Sequence, residues 1–221
     1  MTPPPPSPVS RGRMNTQRLY LFTAVLDNPA SFTRELEAAL SAGDIAAVLL
    51  RLADADERAL INCAKALAAS VQRRDVALLI DGRAEIVARA GADGAHLHGN
   101  EAFAAGLVLL KPDRIAGAGG LRSRHDAMLA GEANADYVMF GEPDARGRRA
   151  PFEEVQEHLE WWADLLEIPC IGYAAELDEV SALARTGADF IALGDWIWTH
   201  PQGAPAAIAA AAENLGEPVR R

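Results

Sequence analysis

Charged side chains follow most of the strands that can be predicted along this chain, and their types suit phosphate chemistry. The residues in question are Arg51, Asp81, Arg83, Glu101, Glu142, Arg146, Arg148, Arg149 and Asp195. Guanidinium groups bind phosphate oxygens through two parallel hydrogen bonds. Carboxylates, together with substrate phosphates, are the usual ligands of Mg²⁺. The pattern predicts a site for a small phosphorylated metabolite, with Mg²⁺ as cofactor.

Two histidines, His96 and His98, stand two residues apart in one of these strands. Side chains at this spacing lie on the same face of a strand, as two metal ligands would. No third histidine is in view, however. We therefore expect a packed, hydrogen-bonded His96 rather than a zinc ligand.

A short sequence motif occurs four times and indicates how the strands are ordered. Each copy has Asp44, Asp93, Asp136 or Asp189 after the Gly or Asn that ends a helical stretch, and before a short apolar run. The four aspartates lie 49, 43 and 53 residues apart. A whole βαβ unit needs about 30 residues, so each interval holds two βα units. The copies therefore mark every second strand of one array.

Eight strands alternating with eight helical segments predict an α/β fold, a single (β/α)8 TIM barrel. The barrel is expected over residues 18–221, after a disordered Pro-rich tail over residues 1–17, where Met14 is a second candidate start. Strands and helices alternate in the same way in an open doubly wound sheet, but the strand count and the repeated motif favour the barrel. In a barrel, the functional residues lie at the C-terminal ends of the strands.

Composition limits the partners that can be expected. The net charge of −10 argues against binding of nucleic acid or anionic membranes, and no apolar stretch approaches the roughly 20 residues of a membrane span. The two cysteines form no disulfide framework, so a cytoplasmic protein is expected. Trp196 and Trp198 are expected at the barrel mouth or at the interface of a homo-oligomer.

Four segments of the chain resemble the thiamine-phosphate synthase family, including its thiazole tautomerase-like relatives. Residues 49–54 (LLRLAD) are similar to the family's Q-x-R-x-K-D, and residues 79–83 (LIDGR) lie at the place of its N-D-R. Residues 91–97 (GADGAHL) nearly match its G-A-D-G-V-H-L. Residues 133–141 (ANADYVMFG) are similar to its G-A-D-Y-x-x-x-G.

The resemblance implies a barrel of thiamine biosynthesis, a transferase that joins a pyrimidine diphosphate to a thiazole phosphate. In that reaction Mg²⁺ assists the departure of pyrophosphate, and the thiazole nitrogen captures the resulting cation. The implied catalytic residues are Arg51, on the diphosphate, and His96, which positions substrate. The implied substrate-binding residues are Arg83, Gly119, Arg148 and Gly194, and the implied metal ligands are Asp81 and Glu101.

The chain departs from the family pattern at functional positions, so its active-site signature is partly lost. Leu49 and Ala53 replace the Gln and Lys of the first motif, and Gly82 replaces the Asp of the second. After residue 97 the family continues G-Q-E-D, whereas this chain has HGNE, and Ala174-Ala175 replaces a phosphate-binding Gly-Gly. Three hypotheses therefore stay open: a synthase with substituted ligands, a non-synthase relative that binds a phosphorylated metabolite or catalyses another reaction, and an interaction protein.

Overall fold

Eight parallel strands form a closed barrel in the order in which they occur along the chain. The structure, a computed structural model, describes residues 17–215. The strands are β1 (Arg18–Leu26), β2 (Ile45–Leu52), β3 (Ala77–Asp81), β4 (Gly94–His98), β5 (Ile115–Gly119), β6 (Tyr137–Phe140), β7 (Cys170–Ala174) and β8 (Phe190–Leu193). Because β8 pairs with β1, the described barrel has no open edge, and the predicted (β/α)8 fold is confirmed.

Eight helices surround the strands. They are α1 (Pro29–Leu40), α2 (Glu57–Gln72), α3 (Ala84–Ala90), α4 (Asn100–Leu110), α5 (Arg124–Glu132), α6 (Phe152–Leu165), α7 (Leu177–Arg185) and α8 (Ala204–Asn214). Side-chain caps begin several of them: the side chains of Asn28, Asp56 and Ser123 each accept a hydrogen bond from an amide in the first turn. Such caps satisfy amides that have no partner within the helix.

The repeated aspartates connect neighbouring strands at the N-terminal end of the barrel. The carboxylate of Asp93 accepts a hydrogen bond from an amide of β3, Asp136 from an amide of β5 and Asp189 from an amide of β7. Asp44 instead pairs with the side chain of Arg18 in β1. Each repeated aspartate therefore connects an even-numbered strand to the odd-numbered strand before it. This shared contact is the structural reason for the repeated motif.

Two apolar layers stabilise the barrel. The larger lies between the strands and the helices, and includes Phe103, Leu159 and Trp162. The smaller fills the barrel interior with side chains from alternate strand positions, including Tyr20 and Leu49. Inward-pointing side chains of this kind make the barrel a packed core rather than a pore.

The structure differs from the elements that the sequence predicts in a few places. The sequence predicts a short Ala-rich turn or helix after β4, whereas the structure has the 11-residue helix α4. The apolar run predicts a seventh strand from Ile168, but β7 begins at Cys170, next to Pro169, which has no amide to donate to a ladder. A 3₁₀ turn at Asp195–Ile197, which the sequence does not predict, follows β8.

The predicted domain boundaries fall partly outside the described residues. Residues 1–16 of the expected tail and residues 216–221 of the expected barrel are among those not described. Gln17, assigned to the tail, is buried, and its side-chain amide donates hydrogen bonds to the carbonyls of Ala184 and Ala188. Among the described helices, none has the length and apolar character needed to cross a membrane.

Candidate active site at the C-terminal end of the barrel

A cleft of about 1390 Å³ opens at the C-terminal ends of the strands. Arg51 of β2, Asp81 of β3, Arg83 before α3 and Arg148 of the β6–α6 loop all line it. These are four of the eight residues that the sequence suggests for the site. The cleft also contains His98, Glu142 and Asp144, so it mixes basic and acidic groups as expected.

Arg51 is held at the cleft by an irregularity in the neighbouring strand. The register of β1 against β2 shifts between Phe22 and Val25, which leaves Thr23 at a β-bulge. The Arg51 Nε donates a 2.7 Å hydrogen bond to the Thr23 carbonyl, and the Arg51 amide donates to the Thr23 hydroxyl. The guanidinium also pairs with Asp195, in the 3₁₀ turn. Arg51 is therefore a fixed cation, with 16% of its side chain exposed.

Asp81 and His98, on adjacent strands, form an ion pair. The His98 Nε2 lies 2.6 Å from a carboxylate oxygen of Asp81. Burial opposes ionisation of Asp81, but the hydrogen bond from His98 and the nearby positive charges outweigh it and keep the pKa of Asp81 below its usual value. Burial likewise lowers the pKa of His98, but the bond to Asp81 and the charge of that carboxylate raise it above its usual value overall.

His96 is fully buried inside the barrel, where it forms a hydrogen-bonded series with two tyrosines. Its Nδ1 lies 3.0 Å from the Tyr137 hydroxyl, which in turn lies 3.0 Å from the Tyr20 hydroxyl. Burial raises the pKa of both tyrosines well above the usual value, so both stay protonated. Gly117 leaves space for the Tyr137 ring of this series, because a Cβ at Gly117 would lie 2.0 Å from that ring. His96 is therefore packed, as the sequence favours, and hydrogen-bonded through its Nδ1.

Glu142 is the residue of this site whose role the sequence analysis missed. Its position after a strand predicts Glu142 at the rim, but not beside the histidines. Its side chain is only 4% exposed, and one carboxylate oxygen lies 3.9 Å from the His96 Nε2. The same oxygen accepts a hydrogen bond from the Gly120 amide. The positive φ of +93° at Gly141 forms the turn that brings Glu142 back over the barrel, and a Gly before a carboxylate is too weak a sequence signal to predict that.

The loop between β6 and α6 is stabilised by its own acidic residue. Asp144 accepts hydrogen bonds from the amides of Arg146 and Arg148 and from the Arg148 side chain. The bond from the Arg148 amide, followed by that from its side chain, lowers the pKa of Asp144 to about 2. Arg148 itself is 66% exposed and faces the cleft.

Arg149 contributes to the wall of the site rather than extending into it. Its guanidinium binds the carboxylate of Glu179 and the carbonyls of Gly141 and Tyr173. Glu179 also accepts a 2.7 Å hydrogen bond from the Ala175 amide. The Glu179 carboxylate thus lies where an anion bound by Arg149 and the Ala175 amide would otherwise lie.

Four predicted site residues lie away from the open cleft. His96 is buried behind its wall, and Gly119 packs against His96 and Glu142. Gly194 is buried against the Tyr173 hydroxyl, and Glu101 is exposed in the first turn of α4. The lining of the cleft contains none of these four, all of which are within the described chain.

The two substituted positions of the first motif are also outside the cleft lining. Leu49 is fully buried in the barrel interior. The Ala53 amide donates a hydrogen bond to the Leu26 carbonyl beside the end of β2. The polar side chains of the family pattern are therefore replaced here by groups that only pack.

The tryptophans pack at the barrel mouth. The Trp198 indole donates a 2.7 Å hydrogen bond to the Phe22 carbonyl and packs edge-on against Phe32. The Trp196 indole donates to the Ala174 carbonyl. Both side chains anchor the 3₁₀ turn that carries Asp195, and thereby the partner of Arg51.

The described residues that line the cleft supply only part of the set of ligands that the sequence suggests for Mg²⁺. Of the predicted pair of ligands, Asp81 lines the cleft and Glu101 does not. Mg²⁺ is commonly held by one or two carboxylates, with substrate phosphates and water completing its octahedron. Asp81 alone fits such an ion only when a diphosphate supplies further oxygens.

Comparison with known proteins connects this site to one family. The family described as thiamine monophosphate synthase matches residues 19–197. The thiamine-phosphate synthase of Rhodospirillum centenum is 39% identical over 199 residues, which cover 89% of this chain and 96% of that protein. The thiamine-phosphate synthase of Hyphomonas neptunium is 36% identical, covering 87% of this chain and 91% of that protein. The chain therefore belongs to the thiamine monophosphate synthase family.

Solved structures agree with the fold. The thiamine phosphate pyrophosphorylase of Pyrococcus furiosus superimposes with a TM-score of 0.72 at 21% identity, covering 91% of this chain and 96% of that one. A 3-hexulose-6-phosphate synthase superimposes with a TM-score of 0.70 at 13% identity, covering 90% of this chain and 100% of that one. At such identities the likeness describes the barrel and not the reaction.

Proposed function

We propose that this barrel is a thiamine-phosphate synthase that joins a pyrimidine diphosphate to a thiazole phosphate, with a slow turnover. The observation that carries the proposal is the position of Arg51. Of the Gln, Arg and Lys in the family's Q-x-R-x-K-D motif, Arg51 is the one that this chain retains, and it is fixed at the mouth of the cleft by Thr23 and Asp195. Arg83 and Arg148 line the same cleft and supply further positive charge.

The reaction breaks the bond between the methylene carbon of the pyrimidine and the diphosphate oxygen, and forms a bond from that carbon to the thiazole nitrogen. Pyrophosphate leaves with the bonding electrons. Arg51 would bind the diphosphate oxygens, because its charge opposes the negative charge that increases on the leaving group. His96, buried behind the wall, would position substrate through Glu142 and His98 rather than touch it.

Asp81 would hold Mg²⁺ together with the oxygens of the diphosphate. When bound, this ion would supply positive charge that stabilises the departing pyrophosphate. Glu101 stays a predicted second ligand that would have to act from the N-terminus of α4. Gly119 and Gly194 stay predicted substrate contacts, Gly194 near the thiazole phosphate.

The slow turnover follows from the replacements at Leu49 and Ala53. Each lost charge-assisted hydrogen bond is worth about 1.5–3 kcal/mol. Since about 1.4 kcal/mol corresponds to a tenfold change in rate, two such losses lower turnover by about a hundredfold or more. We therefore expect less than about 0.1 s⁻¹, against a median of about 10 s⁻¹ for enzymes.

Growth complementation tests this function in a cell. A thiamine auxotroph lacking its synthase should grow slowly when it expresses this chain, and should not grow when it expresses the Arg51→Ala variant at equal abundance. Equal growth with the unmodified chain and with the Arg51→Ala variant would show that the reaction does not depend on Arg51.

A second candidate function is supported by Glu179. This carboxylate takes the hydrogen bonds of Arg149 and of the Ala175 amide, which an incoming phosphate would otherwise receive. A relative that binds a single phosphorylated metabolite near Arg51, without coupling two substrates, fits this arrangement. Calorimetric titration with each precursor alone separates the candidates: a synthase binds both, whereas the non-synthase relative binds only one.

The remaining parts of the proposal concern the protein's surroundings. Small phosphorylated metabolites are its proposed partners, rather than nucleic acid or a membrane. A cytoplasmic location is proposed because Cys63 and Cys170 are both free thiols, as is usual in a reducing compartment. A homo-oligomer stays a prediction, tested by light scattering.

A further inference from the structure

The cluster of His96, His98 and Glu142, here called the His–His–Glu cluster, lies at the wall of the cleft: His98 and Glu142 line the cleft, and His96 is buried behind them. One potential ligand atom from each of these side chains lies within 4.8 Å of the others. We propose that the cluster binds a divalent transition-metal ion of the zinc class. This site differs from that for Mg²⁺ in the proposed function and does not depend on it.

The first argument is an unpartnered nitrogen. His96 is fully buried, and within the described chain its Nε2 has no hydrogen-bond partner. Buried polar atoms without a partner are rare in folded proteins and call for an explanation such as an ion. This nitrogen faces the carboxylate of Glu142, whose side chain is 4% exposed. A bound cation would satisfy both groups at once.

The second argument is the separation of the donor atoms. Two ligand atoms each bonded to one zinc ion at about 2.1 Å, in tetrahedral geometry, lie about 3.4 Å apart. The His96 Nε2 and the nearer oxygen of Glu142 are 3.9 Å apart. A movement of about half an ångström would therefore close the pair around an ion.

The third argument is that each histidine ring is oriented by a hydrogen bond through one of its nitrogens. The Nδ1 of His96 lies 3.0 Å from the Tyr137 hydroxyl, which leaves Nε2 to bind metal. The Nε2 of His98 lies 2.6 Å from Asp81, so His98 would bind the ion through its Nδ1 while Asp81 holds the ring. Metal-binding histidines almost always have such a partner, because it fixes the tautomer and the orientation of the ring.

The donor set identifies the class of metal. Imidazole nitrogens suit zinc, copper, iron and nickel, whereas Mg²⁺ prefers oxygen ligands throughout. Three protein ligands leave at least one coordination position open. Because His98 and Glu142 line the cleft, that position would face a molecule bound in it.

Titration with Co²⁺ tests the proposal without substrates or any activity. The full chain, with its purification tag removed and treated with a chelator, should bind one Co²⁺ per chain and develop the visible absorption of a four- or five-coordinate ion. Zn²⁺ should remove this absorption by displacing Co²⁺. The His98→Asn and Glu142→Gln variants should each bind at least tenfold more weakly.

His158→Asn is the matched control, because His158 lines the same cleft but lies outside the cluster. It should bind Co²⁺ as the unmodified chain does. His98 is 42% exposed, so its replacement is compatible with folding, and circular dichroism checks this. Failure to bind one Co²⁺, unchanged binding in His98→Asn, or an equal loss in His158→Asn would overturn the proposal. Since no substrate is present, the proposed synthase reaction stands or fails separately.

Discussion

Replacing Arg51 by Ala should weaken binding of the pyrimidine diphosphate more than any other single change at the rim. Three hydrogen bonds from the Arg51 guanidinium go to Thr23 and Asp195. A guanidinium has five N–H donors, so about two remain for a ligand. The side chain is 16% exposed, which leaves this free edge accessible from the cleft.

The magnitude follows from those two donors. Two charge-assisted hydrogen bonds contribute about 3–6 kcal/mol together. Asp195 lies beside the ligand position and already offsets part of the charge, so we take the lower end of this range. A loss of about 3 kcal/mol corresponds to about a hundredfold weaker binding.

Calorimetric titration with the pyrimidine diphosphate in Mg²⁺ measures this loss. Arg51→Lys keeps the charge but lacks the planar fork, so an intermediate loss is expected. Arg124→Ala is the control of equal charge change, because the Arg124 guanidinium packs over Trp161 on the outside of the barrel. A change of less than threefold for Arg51→Ala, or an equal loss for Arg124→Ala, would refute the reasoning.

Three further predictions concern the loop, the wall and the metal of the site. The Asp144 carboxyl should titrate near pH 2 in an NMR titration, so its contribution to stability is present above pH about 4 and is lost as the pH falls through 2; a midpoint near 3.8 would contradict the hydrogen bonds seen. Gly119→Ala should lower the free energy of unfolding by about 1–3 kcal/mol in urea denaturation, because its Cβ would lie 2.3 Å from His96; an unchanged midpoint would contradict the packing. Mg²⁺ should bind the ligand-free protein weakly and the diphosphate complex more tightly, and Asp81→Asn should remove the difference; tight Mg²⁺ binding without diphosphate would contradict the limited donor set.

The sequence predicts the barrel well because its signals are local. The aspartate repeat, the Gly or Asn residues that end helices and the short apolar runs each act over a few residues. Gly91, Asn134 and Gly187 have the positive φ expected at the end of a helix. Asp93, for example, both follows a helix-ending Gly and accepts a hydrogen bond from the strand before it.

The site is predicted less completely because it depends on contacts between distant parts of the chain. Glu142 is 46 residues from His96 in sequence but 3.9 Å away in space. The pairing of Arg149 with Glu179 is equally non-local, and it could not be read from a loop rich in Gly, Pro and Arg. Position at a strand end predicts Arg51 and Asp81, whereas it cannot distinguish His96, which is buried, from His98, which is half-exposed.

The measurement that tests the central claim most directly is a coupling assay with both phosphorylated precursors and Mg²⁺. We expect formation of thiamine phosphate at less than about 0.1 s⁻¹, reduced about tenfold or more further in the Arg51→Ala variant. Absence of product above background, at precursor concentrations that saturate the cleft, would contradict the synthase function. Turnover at rates ordinary for enzymes would instead contradict the argument that Leu49 and Ala53 weaken the site.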